Sequence, residues 1–370
     1  MNTRIFAVTA IVAAAVLGCV AFAGGTSRFR SATADVLLSS EGAGDAARPF
    51  LHANFPSLMG ATDWINSPPL TNTGLRGKVV LVEFWTYTCV NWRRESPYVR
   101  AWAERYKDKG LVVIGVHSPE FDFEKDADNV RRATKEIGID YPVAVDSRMG
   151  VWTAFGNEYW PALYFVDAKG RVRGRHFGEG DYDQSEQMIR ALLTEAGATD
   201  LGNDLTAVVP KGAEVAGDAA TLRSPESYVG SARQNDFASP GGLVLYEPHS
   251  YAVPPRMYLN QWALAGEWMV RHESVVSGKQ PARLVYSFHA RDVNLVMGPA
   301  APGLAPRFQV LIDGKAPGVA RGADVDEGGG GVVSEPRLYQ LIRQRGEIKD
   351  HLFEIEFLDP GAEAFDFTFG

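Results

Sequence analysis

One cysteine at a strand-to-helix corner is the residue of this sequence best placed for chemistry. The stretch Val82–Trp102 (VEFWTYTCVNWRRESPYVRAW) begins as an apolar strand and turns into a helix, with Cys89 at the corner. A thiol in the first turn of a helix faces unpaired backbone N–H groups and the positive end of the helix dipole. Arg93 and Arg94, in the first two turns, would act in the same direction. We therefore expect a lowered pKa and a nucleophilic thiol at Cys89; the alternative is a buried structural cysteine.

The position that would hold a partner thiol is occupied by a tryptophan. Redox proteins with a Cys-x-x-Cys motif carry a second thiol three residues after the first, and here that residue is Trp92. The other cysteine, Cys19, lies in an N-terminal apolar run that is either removed or embedded in a membrane, so it cannot pair with Cys89. We predict one-thiol chemistry, with Trp92 covering the sulfur and offering an aromatic surface to a substrate.

Two polar residues near this corner are candidates for proton transfer. Glu83 lies inside the apolar strand, where burial would raise its pKa and suit it to carrying a proton. The alternative for Glu83 is a carboxylate that reaches the edge of the sheet. His117 ends the strand LVVIGV, on the same sheet edge as Cys89 if the two strands are parallel. An imidazole there would assist proton transfer near neutral pH, and the alternative is a structural histidine.

Aromatic residues and one proline are predicted to form the groove around the sulfur. Tyr87 and Trp160 would line it, whereas Trp85 is either part of the groove or plain core. Pro161 precedes the strand ALYFV, and a cis bond before it would be a deliberate structural feature. The histidines form no ligand-spaced cluster, and no glycine-rich phosphate loop follows a strand. We therefore expect neither a metal nor a cofactor.

Strands and helices alternate from Phe50 to about Ala198, which is typical of an α/β sheet of mixed direction with flanking helices. The predicted strands are Lys78–Trp85, Leu111–Val116, Pro142–Val145, Ala162–Val166 and Arg171–Phe177. The predicted helices are Cys89–Lys107, Phe123–Ile137, Met149–Phe155 and Gln184–Leu193. The carboxyl edge of such a sheet is where open α/β folds place their functional groups, and Cys89 lies there.

Beyond Pro225 the pattern changes to alternating strands bounded by Gly, Pro or Asp, which predicts an antiparallel β-sandwich. The predicted strands are Ala282–Val296, Phe308–Ile312, Leu352–Phe357 and Phe365–Phe369. One short helix is expected near Arg337–Arg343, and the glycines of Gly328–Gly331 are expected to form a flexible loop tip.

The composition is that of a globular protein, with 45% hydrophobic and 22% charged residues. The net charge of -8 argues against a general nucleic-acid binder. Arg4 precedes an apolar run, Ile5–Ala23, that ends in a small-x-small cleavage signal. Three interpretations stay open: a cleaved signal peptide, a retained membrane anchor, or a lipoprotein signal at Cys19. Each of them implies export to the bacterial periplasm or cell envelope.

The segment around Cys89 resembles the active-site region of the thioredoxin superfamily, specifically its exported TlpA/DipZ-like thiol–disulfide oxidoreductases. Cys89 matches the attacking cysteine, and Pro97, eight positions later, matches the proline that kinks the active-site helix. Glu83 matches the family's buried proton acceptor. Trp160-Pro161 matches the cis-proline that faces the cysteine and docks the substrate backbone. The resemblance implies that a second cysteine resolves mixed disulfides in these proteins, and Trp92 departs from that pattern.

The C-terminal part carries a second resemblance, to the β-sandwich module that follows the thioredoxin part in DipZ-type proteins. The matching segments are ESYVGSARQNDFASPG, LNQWALAGEW and RLYQLIRQ. That module has a jelly-roll, carbohydrate-binding-like fold, which is no evidence for sugar binding. The chain is thus predicted to comprise a signal peptide or membrane anchor (1–23), a tether (24–48), a thioredoxin-like domain (49–198), a linker (199–224) and a β-sandwich domain (225–370).

The expected function is that of an exported thiol–disulfide oxidoreductase, or redoxin, working through Cys89 alone. The residues predicted to bind the substrate are Trp160, Pro161, Trp92 and Tyr87. Expected partners are thiol or disulfide proteins, small thiols or a membrane redox protein, and not nucleic acid. Two alternatives stay open: a catalytically silent binding module and a one-cysteine thiol peroxidase. For the peroxidase pattern P-x-x-x-T-x-x-C, Thr86 matches but Val82 stands at the proline position.

Overall fold

The computed structural model describes residues 53–279 and 281–370, and all of them fall in one compact unit. The predicted signal peptide or anchor (1–23), the tether (24–48) and Cys19 lie outside the described residues. Within the described ranges, no helix is both long and apolar enough to span a lipid bilayer.

The first half of the described chain forms a mixed sheet, as the sequence predicts, but with six strands where the sequence predicts five. Its strands are β1 (Asp63–Ile65), β2 (Val79–Trp85), β3 (Leu111–His117), β4 (Val143–Val145), β5 (Ala162–Val166) and β6 (Val172–Phe177). Their order across the sheet is β1-β4-β3-β2-β5-β6. Strands β2, β3 and β4 run parallel, whereas β1, β5 and β6 pair antiparallel with their neighbours.

Both faces of this sheet are covered, which explains the unbroken apolar run of β2. All seven residues of β2 are buried, with Leu81 and Trp85 in the core on one face and Val82 in the core on the other. The helices are α1 (Val90–Tyr106), α2 (Ala127–Ile137), α3 (Gly150–Phe155) and α4 (Tyr182–Glu195). Helices α1, α2 and α4 contribute to the first core and α3 to the second.

One predicted helix, Phe123–Ile137, is interrupted near its start. A 3-10 turn, Asp122–Lys125, comes first, and α2 begins only after Asp126. The Asp126 carboxylate accepts a hydrogen bond from the backbone N–H of Asp128 at 2.8 Å. That capping bond fixes a new helix start.

The C-terminal half is an antiparallel β-domain, as predicted. Its strands are β7 (Ser227–Tyr228), β8 (Pro248–Tyr251), β9 (Trp262–Val270), β10 (Val275–Ser277), β11 (Ala282–Phe288), β12 (Asp292–Pro299), β13 (Arg307–Ile312), β14 (Gly330–Val332), β15 (Arg337–Arg343), β16 (His351–Phe357) and β17 (Ala362–Phe369). They form one continuous path, β14-β13-β16-β11-β9-β10-β17-β12-β15, with β7 on β17 and β8 on β9. Because strands from both ends of this path share one hydrophobic core, the sheet folds over on itself as a half-barrel.

Three local predictions in this domain are wrong. Arg337–Arg343 is strand β15, not a helix, because pairing with β12 overrides the helix propensity of its Leu, Gln and Arg residues. The single predicted strand Ala282–Val296 is two strands, β11 and β12; no Gly or Pro marks the turn between them. The glycine run ends in strand β14, where a side chain at Gly331 would collide with the Phe308 ring.

The two halves pack against each other beside Cys89. Val90, the first residue of α1, lies in an apolar cluster with side chains from the β-domain: Val296, Leu338 and Phe365. The connecting segment also contacts α1, through a 3-10 turn at Gly212–Glu214 and an ion pair of 2.6 Å between Arg100 and Glu214. The β-domain therefore covers the end of the helix that carries the thiol.

Candidate active site

Cys89 lies at the junction of β2 and α1, where the sequence places it. It caps α1 with an extended backbone, is partly exposed and is not in a disulfide. Its Sγ atom is 3.9 Å from the carbonyl oxygen of Trp160, and the Trp160–Pro161 peptide bond is cis. The structure thus brings together the thiol and the proline loop that the sequence pairs with it.

The prediction of a lowered pKa at Cys89 is wrong. Burial is the largest influence and raises the pKa of the thiol well above its usual value. The backbone N–H groups of Trp92 and Asn91 favour the thiolate, as a helix N-terminus should, but the carboxylates of Glu226 and Glu120 oppose them. The residue remains partly exposed, so its sulfur is desolvated by neighbours without being sealed off.

The two arginines do not support the thiolate as expected. Arg94 is only 4% exposed and forms a 2.8 Å ion pair with Glu179. Its other terminal nitrogen donates to the carbonyl of Phe369 at 3.4 Å, in the last strand of the β-domain. Arg93 lies close to Glu214 and Asp324. The guanidinium groups of both arginines therefore lie at the contact between the two halves of the described chain and interact with residues there.

Trp92 is directed into the protein core rather than toward a substrate. Its side chain is 0% exposed, stacks on Trp85 with ring centroids 4.2 Å apart, and donates its indole N–H to Glu83 at 2.7 Å. Tyr141 donates its hydroxyl to the other oxygen of Glu83, also at 2.7 Å. The prediction of an exposed aromatic surface at Trp92 is wrong, because the indole N–H finds its acceptor inside the fold. Trp85 is plain core, one of the two alternatives.

Glu83 has the raised pKa that the sequence predicts. Its carboxyl group is fully buried, and burial raises the pKa to about 7. The hydrogen bonds from Tyr141 and Trp92, and then the charge of Arg100, act in the opposite direction. Glu83 therefore gains or loses its proton near neutral pH, while both of its oxygens are held by neighbouring donors.

His117 lies at the predicted edge of the sheet, but both His117 and Tyr87 are buried. His117 does end β3, next to Trp85 of the parallel strand β2, but it is 0% exposed and burial lowers its pKa to about 3. A proton-transfer role near neutral pH is therefore wrong for this imidazole. Tyr87 is buried and stacks on His117, with ring centroids 5.4 Å apart, so it offers little surface to a substrate.

Trp160 keeps the exposure that a groove residue needs. It is partly exposed, its indole N–H donates to the carbonyl of Ser118 at 3.1 Å, and its ring packs on Trp152 with centroids 4.3 Å apart. Among the four residues predicted to bind a substrate, Trp160 and Pro161 lie beside the thiol, whereas Trp92 and Tyr87 are core.

Several carboxyl groups near this site escaped the sequence reasoning. Glu124 is fully buried, accepts a hydrogen bond from Thr88 at 2.6 Å, and burial raises its pKa to about 7. Glu95 of α1 is buried, with neither carboxyl oxygen bonded to another described residue, and burial raises its pKa. Glu120 and Glu226 act on the thiol from two separate segments. No spacing signal links these residues, because only tertiary packing brings them together.

Models of two protein families match separate parts of this chain. The AhpC/TSA family matches residues 56–175, and the family described as thioredoxin like C-terminal domain matches residues 224–370. The first range contains Cys89 and its proline loop, and the second contains the β-domain.

Three known proteins are similar to different lengths of this chain. Protein DipZ of Mycobacterium bovis is 39% identical over 249 residues, which are 66% of this chain and 35% of DipZ. The thiol-disulfide oxidoreductase YkuV of Bacillus subtilis is 29% identical over 145 residues, which are 39% of this chain and 97% of YkuV. The protein SUPPRESSOR OF QUENCHING 1 of Arabidopsis thaliana is 38% identical over 144 residues, 39% of this chain and 13% of the relative. The chain thus spans about a third of the length of DipZ.

Proposed function

We propose that the chain is a thiol–disulfide oxidoreductase of the thioredoxin superfamily working through Cys89 alone, since an AhpC/TSA family match is followed in it by a match to the thioredoxin like C-terminal domain family. The observation that carries this proposal is the contact of 3.9 Å between the partly exposed Cys89 sulfur and the Trp160 carbonyl, next to cis-Pro161. Trp160 and Pro161 would dock the substrate chain beside the sulfur.

The proposed cycle needs one protein thiol and one external thiol. The thiolate of Cys89 attacks a disulfide R–S–S–R, forming Cys89–S–S–R and releasing R–S⁻. A second thiolate, R′–S⁻, then attacks the R sulfur of this mixed disulfide. That step forms R′–S–S–R and returns Cys89 as thiolate, so the protein ends unchanged. The external thiol replaces the resolving cysteine, which position 92 cannot supply.

The raised pKa of Cys89 sets the condition under which this cycle runs. A thiol with a raised pKa is mostly protonated at neutral pH, but each thiolate that forms is a strong nucleophile. Attack should therefore accelerate with rising pH. Glu83 has a pKa of about 7, and we propose it as a proton carrier. It is connected to α1 by the hydrogen bond from the indole N–H of Trp92.

Location and partners are proposed from the sequence. The N-terminal apolar run supports export to the periplasm or cell envelope, as a cleaved, anchored or lipidated protein. Disulfides persist in such compartments, so disulfide proteins, small thiols and a membrane redox partner are the proposed reaction partners.

The direct test follows the mixed disulfide on the full chain. The protein is reacted with bis(2-hydroxyethyl) disulfide at several pH values, and peptide mass mapping separates adducts at Cys89 from those at Cys19. An external thiol is then added. We expect a Cys89 adduct that forms faster at higher pH and is released by the thiol, and no adduct at position 89 in Cys89→Ser. Absence of the adduct, or an adduct that the thiol cannot remove, would refute the proposal.

A catalytically silent binding module is the second candidate. The observation in its favour is the raised pKa of Cys89, which leaves little thiolate at neutral pH. A one-cysteine peroxidase has less support, because Thr86 is buried with its hydroxyl 3.5 Å from the ring of His117. The same mass mapping after peroxide treatment tests the peroxidase. A sulfenic acid at Cys89 that an added thiol reduces would favour it.

A further inference from the structure

The segment that follows β3, residues 118–124 (the β3 loop), is hydrogen-bonded to the corner that carries Cys89. Thr88 directly precedes Cys89, and its hydroxyl donates to the Glu124 carboxylate at 2.6 Å. Thr86, two residues earlier, hydrogen-bonds the same carboxyl group. All three side chains are buried, where a hydrogen bond to a carboxylate is strong. The position of the Cys89 backbone therefore depends on where Glu124 is held.

The Glu124 carboxylate also binds the backbone of the β3 loop. Its second oxygen accepts the backbone N–H groups of Glu120 at 2.7 Å and of Phe121 at 3.0 Å. Glu124 thus binds Thr88 with one oxygen and the loop with the other. A buried polar network whose members are satisfied is rigid, so the loop and the corner are joined at one fixed point.

The β-domain holds the β3 loop from the other side. Tyr228 of β7 donates its hydroxyl to the Glu120 carboxylate at 2.5 Å, and Arg233 forms an ion pair of 2.9 Å with the same group. Glu120 therefore contacts the β-domain with its side chain and Glu124 with its backbone N–H. Three hydrogen bonds of 2.5 to 2.7 Å lead in this way from Tyr228 to the residue before Cys89.

The proline loop is attached to the β3 loop as well. Trp160, whose carbonyl oxygen lies 3.9 Å from the Cys89 sulfur, donates its indole N–H to the Ser118 carbonyl at 3.1 Å. The Ser118 hydroxyl in turn donates to Asp146 at 3.0 Å. The thiol corner and the proline loop are thus fixed to one short segment, which sets the distance between the sulfur and a substrate docked on the proline loop.

We propose that Glu124 is a positioning residue for the reaction: through Thr88 it holds Cys89 beside the proline loop, and through Glu120 it links this position to the β-domain. The inference rests on the proposed chemistry of Cys89 and adds a residue and a domain to it. Its effect is geometric, because attack on a disulfide needs the sulfur in line with the S–S bond. A misplacement of about 1 Å can cost about a hundredfold in rate.

Two reactions of Cys89, followed on the full chain at pH 8.5, separate its position from its reactivity. Oxidised glutathione is a peptide disulfide that must dock beside the sulfur, whereas iodoacetamide is a small alkylating agent that needs only the thiolate. The thiolate fraction cancels in the ratio of the glutathione rate to the alkylation rate. Glu124 is ionised at this pH, since burial raises its pKa only to about 7. Peptide mass mapping assigns each adduct.

Thr88→Val removes the hydroxyl with little change of shape, and we expect the ratio to fall about tenfold. Thr88→Ser keeps the hydroxyl and should recover most of that loss. Thr206→Val is the matched control, because Thr206 donates its hydroxyl at 2.7 Å to the buried Glu186, which is bonded to Tyr106 at the far end of α1. The control ratio should stay within about twofold of wild type. A wild-type ratio in Thr88→Val, or an equal fall in the control, would overturn the inference and leave the oxidoreductase proposal intact.

Tyr228→Phe tests the contribution of the β-domain by removing the hydroxyl that holds Glu120. We expect the ratio to fall about threefold, less than in Thr88→Val because Arg233 still binds Glu120. Since both variants act on one joint, the double variant should fall no further than Thr88→Val. A fall equal to the product of the two, or no fall in Tyr228→Phe, would remove the β-domain from the proposal. If Thr88→Val does not fold, an unchanged ratio in Tyr228→Phe overturns the inference as a whole.

Failure of the proposed function is recognised separately. If oxidised glutathione and bis(2-hydroxyethyl) disulfide both leave Cys89 unmodified, the oxidoreductase proposal fails. Hydrogen exchange then tests the joint alone in the first turn of α1, where the backbone N–H of Arg93 donates to the Cys89 carbonyl at 3.0 Å. Faster exchange there in Thr88→Val and Tyr228→Phe than in Thr206→Val would support the positioning of Cys89 by Glu124, and equal exchange in the three variants would refute it.

Discussion

Positions 89 and 92, one helical turn apart, have opposite environments. Cys89 is partly exposed, with its sulfur beside the proline loop. Trp92 is buried, with its indole N–H on Glu83 and its ring on Trp85. A Cys-x-x-Cys protein uses these two places as one unit, since the thiol at the second place attacks the mixed disulfide formed at the first. In this chain only the outer place keeps a thiol.

The inner place, position 92, has a structural role in this chain. Trp92 and Tyr141 satisfy both oxygens of Glu83, and a buried carboxyl group without such donors would be costly. The indole therefore fills the volume behind the cysteine and also binds the acid there. Position 92 is thus well packed around tryptophan, and we expect a cysteine placed there to destabilise the fold.

The largest effect is expected from replacing Trp92. Trp92→Cys would restore the second thiol but remove a fully buried indole and its hydrogen bond, so we expect a loss of about 3–5 kcal/mol in the free energy of unfolding. Urea denaturation measures that loss. If the variant remains folded, its introduced thiol should form a disulfide with Cys89 and release mixed disulfides without an external thiol.

Trp92→Ser is the matched control for this experiment. It leaves a cavity and a small polar side chain like those of Trp92→Cys, but it has no thiol. It should be destabilised by a similar amount and should still require the external thiol. Self-release of the mixed disulfide in the serine variant, or none in a folded cysteine variant, would contradict the view that only the resolving thiol is missing.

The second effect concerns Glu83 and the pH dependence of stability. Its pKa is about 7 in the folded protein and about 4.3 in an unfolded chain, so the folded state holds the proton more tightly. Its contribution to stability is therefore fully present below about pH 4, decreases as the pH rises toward 7, and is constant above that. Glu83→Gln removes this decrease. The free energy of unfolding of the variant, measured relative to wild type by urea denaturation, should increase by roughly 3 kcal/mol between pH 4.5 and pH 7.5.

A buried glutamate with the opposite shift provides the control. For Glu186 of α4, burial acts to raise the pKa, but hydrogen bonds led by that of Tyr106 outweigh it and lower the pKa. Its stabilisation is present at neutral pH and is lost as the pH falls through its folded pKa. The free energy of unfolding of Glu186→Gln should therefore decrease relative to that of wild type as the pH rises. The same pH trend in both variants would show that the shift at Glu83 is misassigned.

The elements around Cys89 could be predicted from sequence because their signals are local. The apolar run of β2, the strand of β3 and the proline before β5 each depend on neighbouring residues, and the structure places them as expected. The raised pKa of Glu83 follows from burial alone and could also be predicted. The predicted domain boundaries, 49–198 and 225–370, stay predictions, because packing joins the two halves in one unit.

The electrostatics of the thiol could not be predicted in this way. A helix N-terminus favours the thiolate, but the outcome depends on desolvation and on Glu226, which only tertiary packing brings near. The orientation of Trp92 was also hidden, since a tryptophan after a cysteine can face solvent or core. The hydrogen bond from Trp92 to Glu83, nine positions earlier in the chain, holds the indole in the core.

The smallest effect is expected from replacing His117, which should leave the pKa of the Cys89 thiol almost unchanged. Burial lowers the pKa of this imidazole to about 3, so it is neutral throughout the range in which Cys89 titrates and contributes no charge to the thiol. In His117→Phe, which keeps an aromatic ring between Trp85 and Tyr87, the pH midpoint of Cys89 alkylation by iodoacetamide should stay within about 0.3 of the wild-type value. Glu226→Gln should lower that midpoint, because removing a nearby negative charge favours the thiolate. A clear shift in His117→Phe without one in Glu226→Gln would mean that His117, and not the carboxylate of Glu226, influences the pKa of the Cys89 thiol.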